Sequence, residues 1–82
     1  MAIIFNAIRI EKTDSPYVTQ LTDYKIFADS TEGEIIVSIP KDRQDKLAIS
    51  NAGNHLVIIK DLLRGVEYKL WQHEVLNRRA KE

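Results

Sequence analysis

Apolar and polar residues alternate along most of this chain with a period of two, as in strands that show successive side chains to opposite faces. Residues 2–12 are rich in β-branched side chains, and Ile8 and Ile10 alternate with Arg9 and Glu11. They predict a strand whose first half, AIIFNAI, is apolar on both faces and therefore covered. Thr13-Asp14-Ser15-Pro16 predicts a turn, because three side chains that bond to local backbone precede a residue that cannot donate to a ladder. Residues 17–21 alternate again and predict a short second strand. Residues 24–39 read as a hairpin: two alternating runs flank Ser30-Thr31-Glu32-Gly33, where Gly33 takes a positive φ, and Pro40 ends the pairing.

The pattern lapses at Lys41-Asp42-Arg43-Gln44-Asp45-Lys46, which is wholly charged or amide-bearing and predicts one helical turn or an exposed loop. If residues 42–48 form a full helix, the class becomes α+β. Ser50-Asn51-Ala52-Gly53-Asn54 is a loop by composition. The strongest signal follows in HLVIIKDLLRGVEYKLWQ, residues 55–72, which predicts a central hairpin reversing over residues 60–65. Leu56, Ile58, Leu62, Val66, Tyr68 and Leu70 are its expected inward residues, with Leu62 or Leu63 folded back into the core. From His73 onward Val75, Leu76 and Arg79 fall at spacings one helical face can present, which predicts a short C-terminal helix. Arg78, Arg79 and Lys81 would then complement its dipole.

Within the central hairpin, DLLRGVEYKL resembles the turn and following strand of fibronectin type III domains, where a leucine, a glycine and a tyrosine recur at this spacing. The resemblance covers that stretch alone. It implies that Tyr68 bonds back to nearby backbone as a tyrosine corner. The expected architecture is one domain over residues 1–82, mainly β (or α+β). It is a small antiparallel sandwich or barrel of about five or six strands with a short C-terminal helix.

Composition narrows the function more than it names it. The chain has 82 residues and no cysteine, which excludes a disulfide framework, a thiolate zinc site and a cysteine nucleophile, and suits a reducing compartment. Twelve bases balance twelve acids, so wrapping a polyanion is not its main business. The balance is uneven along the chain: acids outnumber bases over residues 1–40, and bases outnumber acids from Lys60 onward. No apolar run approaches the ~18 residues needed to span a bilayer, and no leader pattern opens the chain. It reads as a complete small frame for a soluble cytoplasmic protein without membrane contact, of a kind often carried on mobile elements.

Catalytic and metal patterns are incomplete. His73-Glu74-Val75-Leu76-Asn77 begins like a zinc-protease helix, but Asn77 stands where the second histidine is needed, and the other histidine is His55. Asp42 and Asp45 are too few for a calcium loop. Ser30, Ser38 and Ser50 lie in no Gly-x-Ser-x-Gly elbow, and Gly33, Gly53 and Gly65 are scattered singly, so no loop cradles phosphate. The expectation is a non-enzyme with no metal and no cofactor. Strict alternation leaves Trp71, Lys69, Leu63, Phe5 and Ile36 outside, which points to a protein-interaction module of regulatory, adaptor or inhibitor type that forms homo-oligomers. The second reading is a small nucleic-acid-binding barrel in which Lys69, Arg78 and Arg79 neutralise phosphate.

Overall fold

The alternating segments become eight strands in a computed structural model that describes residues 6–20, 23–43 and 45–79. They are β1 (Asn6–Glu11), β2 (Tyr17–Val18), β3 (Asp23–Asp29), β4 (Ile35–Ile39), β5 (Leu47–Asn51), β6 (Val57–Asp61), β7 (Val66–Leu70) and β8 (Val75–Arg78). Until β6 the chain deals them alternately to two sheets, a first in the order β1-β3-β5-β8 and a second in the order β2-β4-β6-β7. β1, β3 and β5 run parallel, as do β2, β4 and β6. Parallel neighbours need a long crossover, and each sheet's crossover is a strand of the other. The backbone therefore winds as a flattened coil of three turns. β7 then folds back antiparallel on β6, and β8 lies antiparallel on β5, which ends the parallel stacking.

One core fills the space between the sheets. Ile10, Ile26, Ala28, Leu47 and Ile49 face it from the first sheet, and Ile35, Val37, Ile39, Val57, Ile59 and Leu70 from the second. Most are β-branched, which suits a pleated surface, and each full burial contributes roughly 1.5–3 kcal/mol.

The expectation of a mainly β chain holds, and its finer points are corrected. The sheets are mixed and mostly parallel rather than an antiparallel sandwich or barrel, and the described strands number eight rather than five or six. Residues 24–39 form no hairpin, because β3 and β4 belong to different sheets and the turn between them carries the chain across the core. Residues 47–51 form β5, so 42–48 is not a helix. Instead of a C-terminal helix, Val75, Leu76, Asn77 and Arg78 pair with Ser50, Ile49, Ala48 and Leu47. The central hairpin is present as β6 and β7, but Val57 and Ile59 rather than Leu56 and Ile58 point inward. Leu62 is half exposed in the turn, and Val66 is exposed. Tyr68 packs on the core across from Ile59, in a fold whose parallel stacking differs from the antiparallel sandwich of the fibronectin type III family.

The four corners on one side of the coil stack on one another through polar contacts. Lys12 Nζ donates to the Glu34 carbonyl, and Ile36 N–H donates to Ser15 Oγ. Deeper in, the buried Asn51 amide donates to the His55 and Leu70 carbonyls at 2.6 and 2.9 Å, and its Oδ1 accepts from Gly53 N–H. The Ser30 hydroxyl lies 2.7 Å from both Asn51 Oδ1 and the His55 carbonyl. Gly53 sits so close to the next corner that a Cβ there would come within 2.4 Å of the Ser30 and Thr31 backbone nitrogens. Gly65 has φ +67 but open space around it. Gly53→Ala is therefore expected to cost about 3 kcal/mol by overpacking rigid backbone. Gly65→Ala costs about 1–2 kcal/mol from the left-handed conformation alone. Urea unfolding of the two variants tests the ranking, and an equal or smaller loss at Gly53 contradicts it.

Candidate ligand-binding surfaces

The outer face of the first sheet carries an open groove of about 580 Å³. Two register rows make its floor. Lys25, Ala48 and Asn77 lie side by side across β3, β5 and β8, and Phe27, Ser50 and Val75 form the next row. The small central residues Ala48 and Ser50 leave depth between the larger flanks. Tyr24 joins the same wall because β1 and β3 slip register there: Asn6 pairs with Asp23 and Ala7 with Lys25, so Tyr24 is the extra residue of a bulge. Such a bulge re-aims one side chain and lets neighbouring residues line one face.

The groove is cationic. Lys25, Lys46, Arg78 and Arg79 line it, and none of its described lining residues is a carboxylate. Lys25 Nζ lies 5.0 Å from the Phe27 ring centroid and Lys46 Nζ 5.2 Å from that of Tyr24, both within cation–π range. At the far end of the same sheet Glu11, Asp29, Thr31 and Glu32 line a smaller acidic recess, where Asp29 is paired with Arg9. Hydrogen bonds from Thr31 and then Arg9 hold the Asp29 carboxyl below the usual range.

Arg78, one of the predicted phosphate contacts, is buried and committed elsewhere. Its Nε donates to Asp61 Oδ2 at 2.8 Å, and its terminal nitrogens donate to the Asp45 and Arg43 carbonyls at 2.8 and 2.6 Å. Arg43, also buried, donates in turn to the Gln20, Asp23 and Lys46 carbonyls. Two arginines thus tie the corners on the side opposite Asn51, and burial lowers the Arg43 pKa.

The other predicted residues separate. Phe5 lies outside the described residues. Ile36 and Lys69 come to one row on the outer face of the second sheet, with Ile58 between them. Leu63 is half-buried in the turn before β7, whereas Trp71 lies just beyond the other end of that strand. Trp71 is 62% exposed, and Val75, four residues past it after the turn, is 53% exposed. The turn joining them is rigidly made: Trp71 N–H donates to Glu74 Oε1 at 2.7 Å, Glu74 N–H to the Trp71 carbonyl, and His73 adopts φ 67. Arg79 is exposed at the mouth of the groove. Tyr24, Lys25, Phe27, Lys46 and Val75 were not singled out by sequence as a site. The parity of Asp-Tyr-Lys-Ile-Phe, with Ile26 inward, was the signal for Lys25 and Phe27.

Among known proteins, no family model, no curated sequence and no solved structure matches this chain. Among the described residues no helix is long and apolar enough to cross a membrane.

The Asp61–Arg78 pair has a measurable pH signature. Burial pushes the Asp61 carboxyl up, but the hydrogen bonds from Arg78 and from the Arg64 backbone, with the charges of both arginines, outweigh it and hold the carboxyl below its usual range. A carboxylate depressed in the folded state stabilises the fold above its unfolded pKa of about 4, and that stabilisation is lost as pH falls towards the folded value. Asp61→Asn leaves Arg78 buried without its counter-charge and is expected to cost about 3–5 kcal/mol at pH 7. The difference from the unaltered chain should narrow below about pH 4. Urea unfolding at pH 7, 5 and 3 checks both statements, and a difference that stays constant with pH refutes the assigned charge pairing.

Proposed function

We propose that this chain is a non-catalytic protein-interaction module that self-associates through the corner between β7 and β8. The observation that carries the reading is the pair Trp71 and Val75, large apolar side chains 62% and 53% exposed on that corner. Both flanking strands are edges: β7 pairs with β6 and β8 with β5, and each has one side without a strand partner among the described residues. An open edge offers unpaired backbone donors and acceptors to a second chain. A tryptophan beside it supplies the kind of anchor that dominates interface energetics. The turn bonds of Glu74 support the reading further, because they hold Trp71 in place before a partner arrives and reduce the ordering cost of binding. Lys69, exposed on β7 next to Trp71, lies at the polar rim of the same surface.

Sedimentation equilibrium across a wide concentration range is the direct test. The unaltered chain is expected to associate, and Trp71→Ala to weaken the association roughly 30-fold, the loss typical of an interface anchor. Trp71 is exposed, so the variant should keep the circular dichroism and unfolding midpoint of the parent. A chain that stays monomeric at high concentration, or a Trp71→Ala variant that associates as the parent does, overturns the proposal.

A further inference from the structure

We propose that the groove on the outer face of the first sheet is a binding site for single-stranded nucleic acid. The inference rests on residues other than Trp71, namely Lys25, Lys46 and Arg79 for charge and Tyr24 and Phe27 for stacking, and only Val75 borders both surfaces.

Charge complementarity sets the class of occupant. All three cations lie at the same end of the sheet: Lys25 near the start of β3, Lys46 just before β5, and Arg79 just past the end of the antiparallel β8. No carboxylate is among its described lining residues: Asp23 at the start of β3 is buried on the inner face and bonded by the Tyr17 hydroxyl, and Glu11 and Asp29 lie at the other end of the sheet. The occupant is therefore an anion. Its volume of about 580 Å³ falls in the range of built small-ligand sites, about 300–1,000 Å³, which is more than a single phosphate fills.

The aromatics decide between anions. Twice in this groove a ring and an ammonium occupy the same spot, Lys25 with Phe27 and Lys46 with Tyr24. A nucleic acid strand repeats that combination in complementary form, a flat base followed by a phosphate. Stacking of a base on a ring is stronger than the contact of an exposed ammonium with it, so a base displaces the lysine from the ring and the lysine is free to meet the phosphate. An acidic peptide offers the charge without the flat faces. A duplex keeps its bases stacked inside, away from a sheet surface. Asn77, exposed on the floor, supplies an amide that can donate to or accept from a base edge.

The test is fluorescence anisotropy of a labelled mixed-sequence single-stranded DNA 12-mer, titrated with the full chain from low to physiological salt. The same titration is run with a duplex of that sequence and with polyglutamate of matched length. The 12-mer is expected to bind at low salt, with log affinity falling against log salt at a slope of about −2, the release expected for three cations on a single strand. Duplex and polyglutamate should bind at least about tenfold more weakly, and Phe27→Ala should weaken the 12-mer by roughly 5- to 100-fold. Should Phe27→Ala fail to fold, the double variant Lys46→Gln, Arg79→Gln replaces exposed side chains only and should reduce the slope by about 1.4. Trp71→Ala should leave 12-mer binding unchanged, which separates this site from the self-association corner. Absence of binding at low salt overturns the proposal. So does polyglutamate binding as tightly as the 12-mer, which would assign the groove to an acidic protein segment, and so does a folded variant with unchanged slope.

Discussion

Stacking parallel strands in two sheets forces the chain to turn a corner after every strand, and the backbone groups at those corners have no ladder partner. Left buried and unpaired, each would cost on the order of 1–3 kcal/mol. The fold meets this constraint with a few buried polar side chains placed at the two sides of the coil. On one side Asn51 and Ser30 bond to the corners above and below them. On the other Arg43 and Arg78 together donate to five backbone carbonyls, and Asp61 balances Arg78 while accepting from the Leu63 and Arg64 amides. The Ile and Val core can stack only because these clasps hold the corners in register.

The same clasps decide which charges are left for function. Arg78 sits in a charged tail sequence and is nevertheless inside, and its neighbour Arg79 is outside. Both border the groove, but the Arg78 guanidinium is spent on Asp61 and two carbonyls, so of the adjacent pair Arg79 is the one left exposed. Within β3 the bulge against β1 breaks alternation and brings Tyr24 and Lys25, consecutive in sequence, to one wall. A polar surface is thus built from residues that the corner network does not consume, on the one sheet whose outer face has small residues in its central strand.

Much of this was legible in the chain, and the parts that were not have physical causes. Period-two alternation marked β3, β4 and β7, and the run before Gly65 marked the β6–β7 hairpin, because its partner is the next strand in sequence and its turn is local. Parallel partners are different. Nothing in Ser30-Thr31-Glu32-Gly33 distinguishes a hairpin turn from a corner, since both need turn residues, and the choice is made by Ser30 and Asn51 meeting 21 residues apart. Val75 and Leu76 fit a helical face and a strand equally well over so short a window, and pairing with β5 settles it. The parity of β6 was misread because Leu56 to Ile59 is apolar throughout, so alternation was silent there. Trp71 and Lys69 were legible as outward residues from the parity of β7. The groove was not, because its walls come from three segments whose adjacency is created by parallel stacking and whose Tyr24 depends on a bulge.

The uneven charge along the sequence acquires a spatial meaning once the strands are stacked. Parallel order puts the starts of β3 and β5 at one end of the first sheet and the ends of β1 and β3 at the other. Lys25 and Lys46 near strand starts therefore lie at the opposite end from Glu11 and Asp29 at strand ends, with Lys25 and Asp29 four residues apart on β3, about 13 Å along the strand. At physiological salt the screening length is about 8 Å, so neither pole neutralises the other. A chain with a formal net charge of +0 thus presents a locally cationic aromatic face and a locally acidic edge. Whole-chain charge argues against a protein whose main business is wrapping polyanions, yet attraction over a groove depends most on the charges that line it, and the described ones are cationic.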